Sequence, residues 1–237
     1  SGAPIAVRHP EGAARGFLAL QSRAGARLAD GEVTQTVRDG VVDSRITFRF
    51  KDGSLYEEGV TFSQRQVFRL LTYRVRQRGP AFPQDMEVTP ERRTGRYKGR
   101  FRPRPDGPDQ IQEGRLDMPD DLYNGMSSTL LRNLAAGVTA RVHLVAFTPA
   151  PRLLEMALIP AGEDRFLVGD QSLRATRYHL KLEVGGVSGV VASILGKDPP
   201  DLYCWMTGGP VPGFVKFEGA FYLKGPVWRI ELASPRW

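Results

Sequence analysis

Three histidines, His9, His143 and His179, and one cysteine, Cys204, are the chain's whole stock of imidazole and thiol chemistry. They are too few for a zinc centre of the usual Cys/His type, and one cysteine cannot close an internal disulfide. His143 and His179 fall in segments that alternate apolar and polar residues, where they read as surface or partly buried strand residues. Adjacent carboxylates occur at Glu57-Glu58 and at Asp120-Asp121. Neighbours in a strand point to opposite faces, so Glu57 and Glu58 cannot serve each other as acid and base. Asp120 and Asp121 follow Pro119 at the start of a helical pattern, where negative charge complements the helix dipole. Gly186-Val187-Ser188-Gly189-Val190 lacks the last glycine of a nucleophile elbow. Gly196-Lys197 has Val191 five residues before it and Asp198 after it, which breaks the phosphate-loop pattern at both ends. The sequence therefore assigns no catalytic residue, metal ligand or cofactor, and the chain is expected not to be an enzyme. An active site would require a histidine such as His143 or His179 to meet a carboxylate from a distant strand.

Two further groups could bind rather than react. A cationic run holds Arg92, Arg93, Arg96, Lys98, Arg100, Arg102 and Arg104. Alternation within it predicts a strand with Tyr97 and Phe101 inward and Arg96, Lys98, Arg100 and Arg102 outward. That row could contact the phosphates of an anionic head group, or it could be the solvated face or charge-protected edge of a strand. The excess of arginine over lysine reads as genome composition, and with no recognisable nucleic-acid module the sequence argues against a nucleic-acid partner. The aromatics Trp205, Phe214, Phe217, Phe221, Tyr222 and Trp228 crowd the C-terminal end. With Phe48 and Tyr73, the residues Trp205, Phe217 and Trp228 are the candidates for lining an apolar ligand site; a plain β-core would use the same side chains.

The elements that must position these groups are mostly strands. A chain of 237 residues with 41% hydrophobic and 25% charged residues and a formal charge of 33 − 26 = +7 fits a globular protein with a sizeable core. The longest uncharged stretches, Gly185–Gly196 and Leu202–Val215, are too short and too rich in glycine or proline for a membrane span. Asp30-Gly31, Asp39-Gly40 and Asp52-Gly53 each read as the tight turn of a β-meander. Ile46, Phe48 and Phe50 alternate with Arg45, Thr47, Arg49 and Lys51, and another strand runs from Phe68 to Arg76. The stretch 79–119 holds seven prolines and the cationic run and reads as an insertion, with a loop over Arg102–Gly114. One helix is predicted from Asp120 to Ala136, with Leu122, Met126, Leu130, Leu131 and Leu134 on one stripe and Gly137 as its stop. Strands then follow at Val138–Phe147, Leu153–Ile159, Arg177–Val184, Val187–Leu195, Leu202–Met206, Phe214–Leu223 and Val227–Ala233, with a connection over Thr207–Gly213. The expectation is a single mainly β domain over 1–237.

The run from Met118-Pro119-Asp120-Asp121-Leu122 through Arg132 is followed by Ala175-Thr176-Arg177-Tyr178-His179-Leu180, Pro200-Asp201-Leu202-Tyr203-Cys204-Trp205-Met206 and Pro212-Gly213-Phe214-Val215-Lys216-Phe217-Glu218-Gly219. In order and spacing these motifs, over residues 115–235, resemble a family of bacterial envelope proteins related to the lipoprotein-carrier superfamily of LolA, LolB and RseB. The resemblance implies a strongly curved antiparallel sheet, a half-barrel, with its concave side closed by helix and loops. It also implies a place in the periplasm or cell envelope. The chain starts at Ser1 rather than Met, for which a cleaved secretory leader is one natural explanation. Two functions follow: a carrier of a lipid-like or other apolar ligand in the concave face, or a structural protein that meets an envelope partner at an exposed sheet edge.

Overall fold

A computed structural model describes residues 2–104, 106–147, 150–168, 170–183 and 201–233. The strand expected at Val187–Leu195, the Ser188 motif and Gly196-Lys197 lie outside these residues. The chain first builds a meander of eight strands: β1 (Ala14–Ser22), β2 (Arg27–Arg38), β3 (Val41–Phe50), β4 (Leu55–Gln64), β5 (Phe68–Arg78), β6 (Gln84–Glu91), β7 (Arg96–Pro103) and β8 (Gln110–Arg115). A short helix, α1 (Ser127–Asn133), comes next. A second run follows with β9 (Ala140–Phe147), β10 (Pro151–Val168), β11 (Gln171–Glu183), β12 (Leu202–Thr207), β13 (Phe214–Gly219) and β14 (Trp228–Ala233). Among the described residues these fourteen strands form one open antiparallel sheet, because β14 pairs with β1 and leaves β8 and β9 as its two ends.

Turn chemistry explains much of the meander, with one instructive exception. Asp39 and Gly40 both take positive φ, 52° and 74°, as a two-residue hairpin loop requires. Gly53 also takes positive φ, and the Asp52 carboxylate accepts from the Ser54 N–H at 2.8 Å. Asp30-Gly31, by contrast, lies inside β2 and turns nothing. A Cβ on Gly31 would stand 2.4 Å from the Phe48 ring, so this glycine makes room for a core aromatic; the real turn is at Gly25.

The predicted helix is shortened at both ends: it stops at Asn133, with Leu134 already extended, rather than running to Ala136 and Gly137, and its start is cut back for a visible reason. Leu122 forms a parallel bridge with His143, the Tyr123 N–H donates to His143 O at 2.9 Å, and the His143 N–H donates to Asp121 O at 2.8 Å. The Asn124 side chain holds both the N–H and the C=O of Val145, each at 2.8 Å. Residues 121–124 are thus drawn into the free edge of β9, and the helix forms only after Gly125, whose φ is 71°. The stretch 79–119 is not a departure from the sheet either: it supplies β6, β7 and β8. β8 escapes sequence patterning because its one large apolar residue, Ile111, is 54% exposed; a wet edge strand needs no alternation.

One hydrophobic cluster joins both runs of strands to the helix. Leu20, Phe48, Phe68, Phe101, Leu130 and Leu158 are all fully buried in it, each worth roughly 1.5–3 kcal/mol relative to exposure. Twelve strand spacings of about 4.8 Å would put β7 some 58 Å from β9 in a flat sheet. The Tyr97 ring of β7 nevertheless lies 6.3 Å from the Phe147 ring of β9, so the sheet bends back until its ends approach. Tyr123 ties the interior together: its hydroxyl accepts from the Ile5 N–H at 3.0 Å and donates to Phe68 O at 2.8 Å.

Candidate functional site

Alternation along the strands assigns each expected site residue to a face. Phe48 and Trp228 point into the enclosed side and meet across Phe221, with ring centres 5.7 and 5.0 Å from it. Trp228 also touches Phe50, Phe82 and Tyr222. Tyr56 and Phe82 complete an aromatic mass that fills this part of the interior. Phe217, opposite Cys204 in the β12/β13 ladder, packs against the same core. Tyr73 faces inward too and its ring belongs to the same core, but its hydroxyl serves a polar partner: it donates to Glu58 at 2.9 Å, and Tyr56 donates to the same oxygen at 3.0 Å. Burial pushes the Glu58 carboxyl up from its ordinary value of 4.5, the two phenol hydrogen bonds opposing the shift, and burial also raises both tyrosines well above 10.

Trp205 is not with the others. It lies on the outer face, its indole N–H donating to Asp164 at 2.6 Å and the Lys216 ammonium 4.0 Å from its ring centre. The row Arg96, Lys98, Arg100 and Arg102 is exposed on the outer face, as alternation predicts, which puts it on the far side of the sheet from Phe48 and Trp228. Arg102 pairs with Asp109 at 2.6 Å and Arg100 approaches it at 3.8 Å, so half of the row is already compensated. Within the sheet, Arg74, Glu87, Arg76 and Glu57 continue this ion-pair mosaic across neighbouring strands.

The meeting of His143 or His179 with a distant carboxylate, which the sequence set as the condition for an active site, occurs at both histidines. His143 Nδ1 lies 2.8 Å from Asp121 and His179 Nε2 lies 2.8 Å from Asp201, so each histidine does meet a carboxylate. The first pair anchors the covered edge of β9, and the second sits on the outer face, where His179 stacks on Tyr203. Neither imidazole bonds a hydroxyl or thiol among the described residues. Arg92 donates to three backbone oxygens, Leu70 O at 2.6 Å, Met118 O at 2.8 Å and Pro119 O at 2.7 Å, which pins the crossover after β8 to β5. The inward side of Glu58 had a sequence clue that went unused, since it lies two residues from Tyr56 on one face of a strand. Cys204 is buried, and burial pushes its thiol up to about 12, so it is no nucleophile at neutral pH.

Among the described residues no cluster of three or more His, Cys, Asp or Glu stands ready for a metal ion, and no helix is long and apolar enough to cross a membrane. The two ends of the sheet differ. The β9 edge is sealed by residues 121–124, whereas β8 pairs only with β7 among the described residues and presents Ile111, Glu113 and Arg115. Compared with protein-family models, curated proteins and solved structures, the chain matches none.

Proposed function

We propose that this chain is a non-enzymatic protein of the bacterial cell envelope, built as a side-chain-filled β half-barrel, which accepts an extended segment of a partner protein as an added strand at β8. The observation that carries this reading is the inequality of the sheet's ends: one is closed by its own chain, and the other, among the described residues, offers a row of unpaired backbone groups. The enclosed aromatic mass around Trp228 supports the scaffold over the carrier, because a carrier needs that volume for its ligand. The motif order over residues 115–235 supports the envelope, with the periplasm as the compartment, and kinship with the LolA, LolB and RseB superfamily.

Native mass spectrometry of the full chain, offered mixed phospholipids, tests the proposal together with photo-crosslinking in the envelope. The proposal expects an apo mass and a crosslinked protein from a photo-reactive residue at Ile111 but not at Leu153, which is 41% exposed elsewhere in the sheet. Stoichiometric lipid on the chain, or equal crosslinking from both positions, would overturn it.

A further inference from the structure

Most glycines within the strands have a steric reason to be glycine. A Cβ would approach Val33 at Gly16, Phe48 at Gly31, Phe101 at Gly99, Tyr97 at Gly114 and Leu202 at Gly219, while Gly162 has a φ of 112°. Gly59 of β4 has neither reason. No atom lies within 4 Å of where its Cβ would stand, and its φ is not positive. Glycine inside a strand forfeits packing and order, and it recurs where something must approach the backbone closely. The bulge of the β4/β5 ladder falls between Thr61 and Phe62, so it does not account for Gly59.

Above Gly59 lies a basin of ≈230 Å³ on the outer face of β3, β4, β5 and β6. Arg45 pairs with Gly59 from one side and Arg74 from the other, so these two arginines rise from backbones roughly 10 Å apart with no side chain between them. Arg74 is engaged by Glu87. The Arg45 guanidinium has no hydrogen-bond or ion-pair partner among the described residues. The rim adds hydroxyls from Thr61, Thr72 and Thr89 and carboxylates from Asp43, to which Thr61 donates at 3.2 Å, and Glu57, which pairs with the rim residue Arg76 at 3.4 Å.

We propose that this basin is a binding site for an anionic sugar, a single ring carrying a carboxylate or phosphate. Arg45 offers a free guanidinium fork to the oxyanion, which is the geometry such groups favour. Asp43 and Glu57 would repel a bare multiply charged anion but accept hydrogen bonds from ring hydroxyls, and the threonines can donate or accept. The basin is smaller than the 300–1,000 Å³ or so of drug-sized pockets, which limits the ligand to about one ring. The site lies on the outer face, away from the β8 edge, so it stands or falls independently of the partner-strand reading.

Backbone amide chemical-shift mapping of the full chain tests the proposal with four probes: glucuronate, glucose 6-phosphate, glucose and inorganic phosphate. Saturable shifts at Gly59, Arg45 and Arg74 are expected with glucuronate or glucose 6-phosphate and not with glucose, and whichever anion binds names the class. Gly59→Val fills the floor and should weaken binding at least tenfold with no loss of thermal stability; Arg45→Gln, at an exposed position, should weaken it several-fold. Absence of saturable shifts with both anionic sugars overturns the site. Undiminished binding by Gly59→Val and Arg45→Gln overturns its location, and equal binding of inorganic phosphate overturns the sugar.

Discussion

Replacing Trp228 by alanine separates a filled interior from a ligand cavity. The indole is 5% exposed and makes ring contacts with Phe50, Phe82, Phe221 and Tyr222 at centroid distances of 5.3, 6.0, 5.0 and 6.1 Å. Removing a buried tryptophan costs about 3–5 kcal/mol through lost transfer energy and the cavity left behind. Edge-to-face ring pairs add roughly 0.5–1.5 kcal/mol each beyond area, so the loss here belongs near the top of that range. For a chain of this size each kcal/mol moves Tm by about 2–4 °C, which makes the expected fall roughly 10–20 °C. Differential scanning fluorimetry reads that fall. The same variant should gain binding of a neutral apolar dye that the unmodified protein ignores, because the hole is dry and lined by rings. A Tm lowered by less than about 3 °C, with strong dye binding by the unmodified protein, would refute the reasoning: Trp228 would then line space that is already open.

Two further substitutions probe polar groups of the interior and the crossover. Burial raises the folded-state pKa of Glu58 above its unfolded value, so the native state holds this proton to higher pH and stability falls as pH rises from about 4.5 through the raised value. Glu58→Gln should remove that slope and be the more stable form at pH 8, with the gap closing toward pH 4.5; urea midpoints across this range check it. Arg92→Lys keeps the charge but loses the fork that serves Leu70 O, Met118 O and Pro119 O. A loss of about 2–4 kcal/mol is expected in urea unfolding, since hydrogen bonds to charged groups contribute about 1.5–3 kcal/mol each and one ammonium cannot span all three oxygens.

Local chemistry was legible in the sequence and convergence was not. Alternation at Ile46–Phe50 and Arg96–Arg102 assigned faces that the sheet bears out, because each such strand separates core from water. Asp39-Gly40 and Asp30-Gly31 look alike in sequence, yet one turns the chain and the other yields space to Phe48, a neighbour 17 residues away. Leu122, Met126, Leu130 and Leu131 of the expected stripe are buried, but only Leu130 and Leu131 lie in the helix, because the needs of the β9 edge outweighed helix propensity over residues 121–124. The order and spacing of motifs could not say which aromatics meet: Phe48 and Trp228 do, Tyr73 serves a carboxylate, and Trp205 lies on the opposite face. Gly59 gave no sign at all, since an open floor between Arg45 and Arg74 exists only once three strands are in register.

The pairing of β14 with β1 also shapes how the chain reaches this state. Among the described residues every other ladder joins strands that follow one another along the chain, so the runs β1–β8 and β9–β14 can each zip up largely hairpin by hairpin, the longest connection being that from Glu183 to Leu202. The seam instead brings Leu20 against Ile230, and closing so long a loop costs about 5 kcal/mol of chain entropy beyond a constant. Two locally assembled half-sheets that dock late, along a seam six residue pairs long, are the natural kinetic consequence. Once docked, Ile5 held by Tyr123 and the Glu11–Arg132 ion pair at 2.6 Å strap the N-terminal arm to the crossover between the two runs, so unzipping the seam alone does not free the halves. Late docking and this strap together predict slow folding combined with slow unfolding.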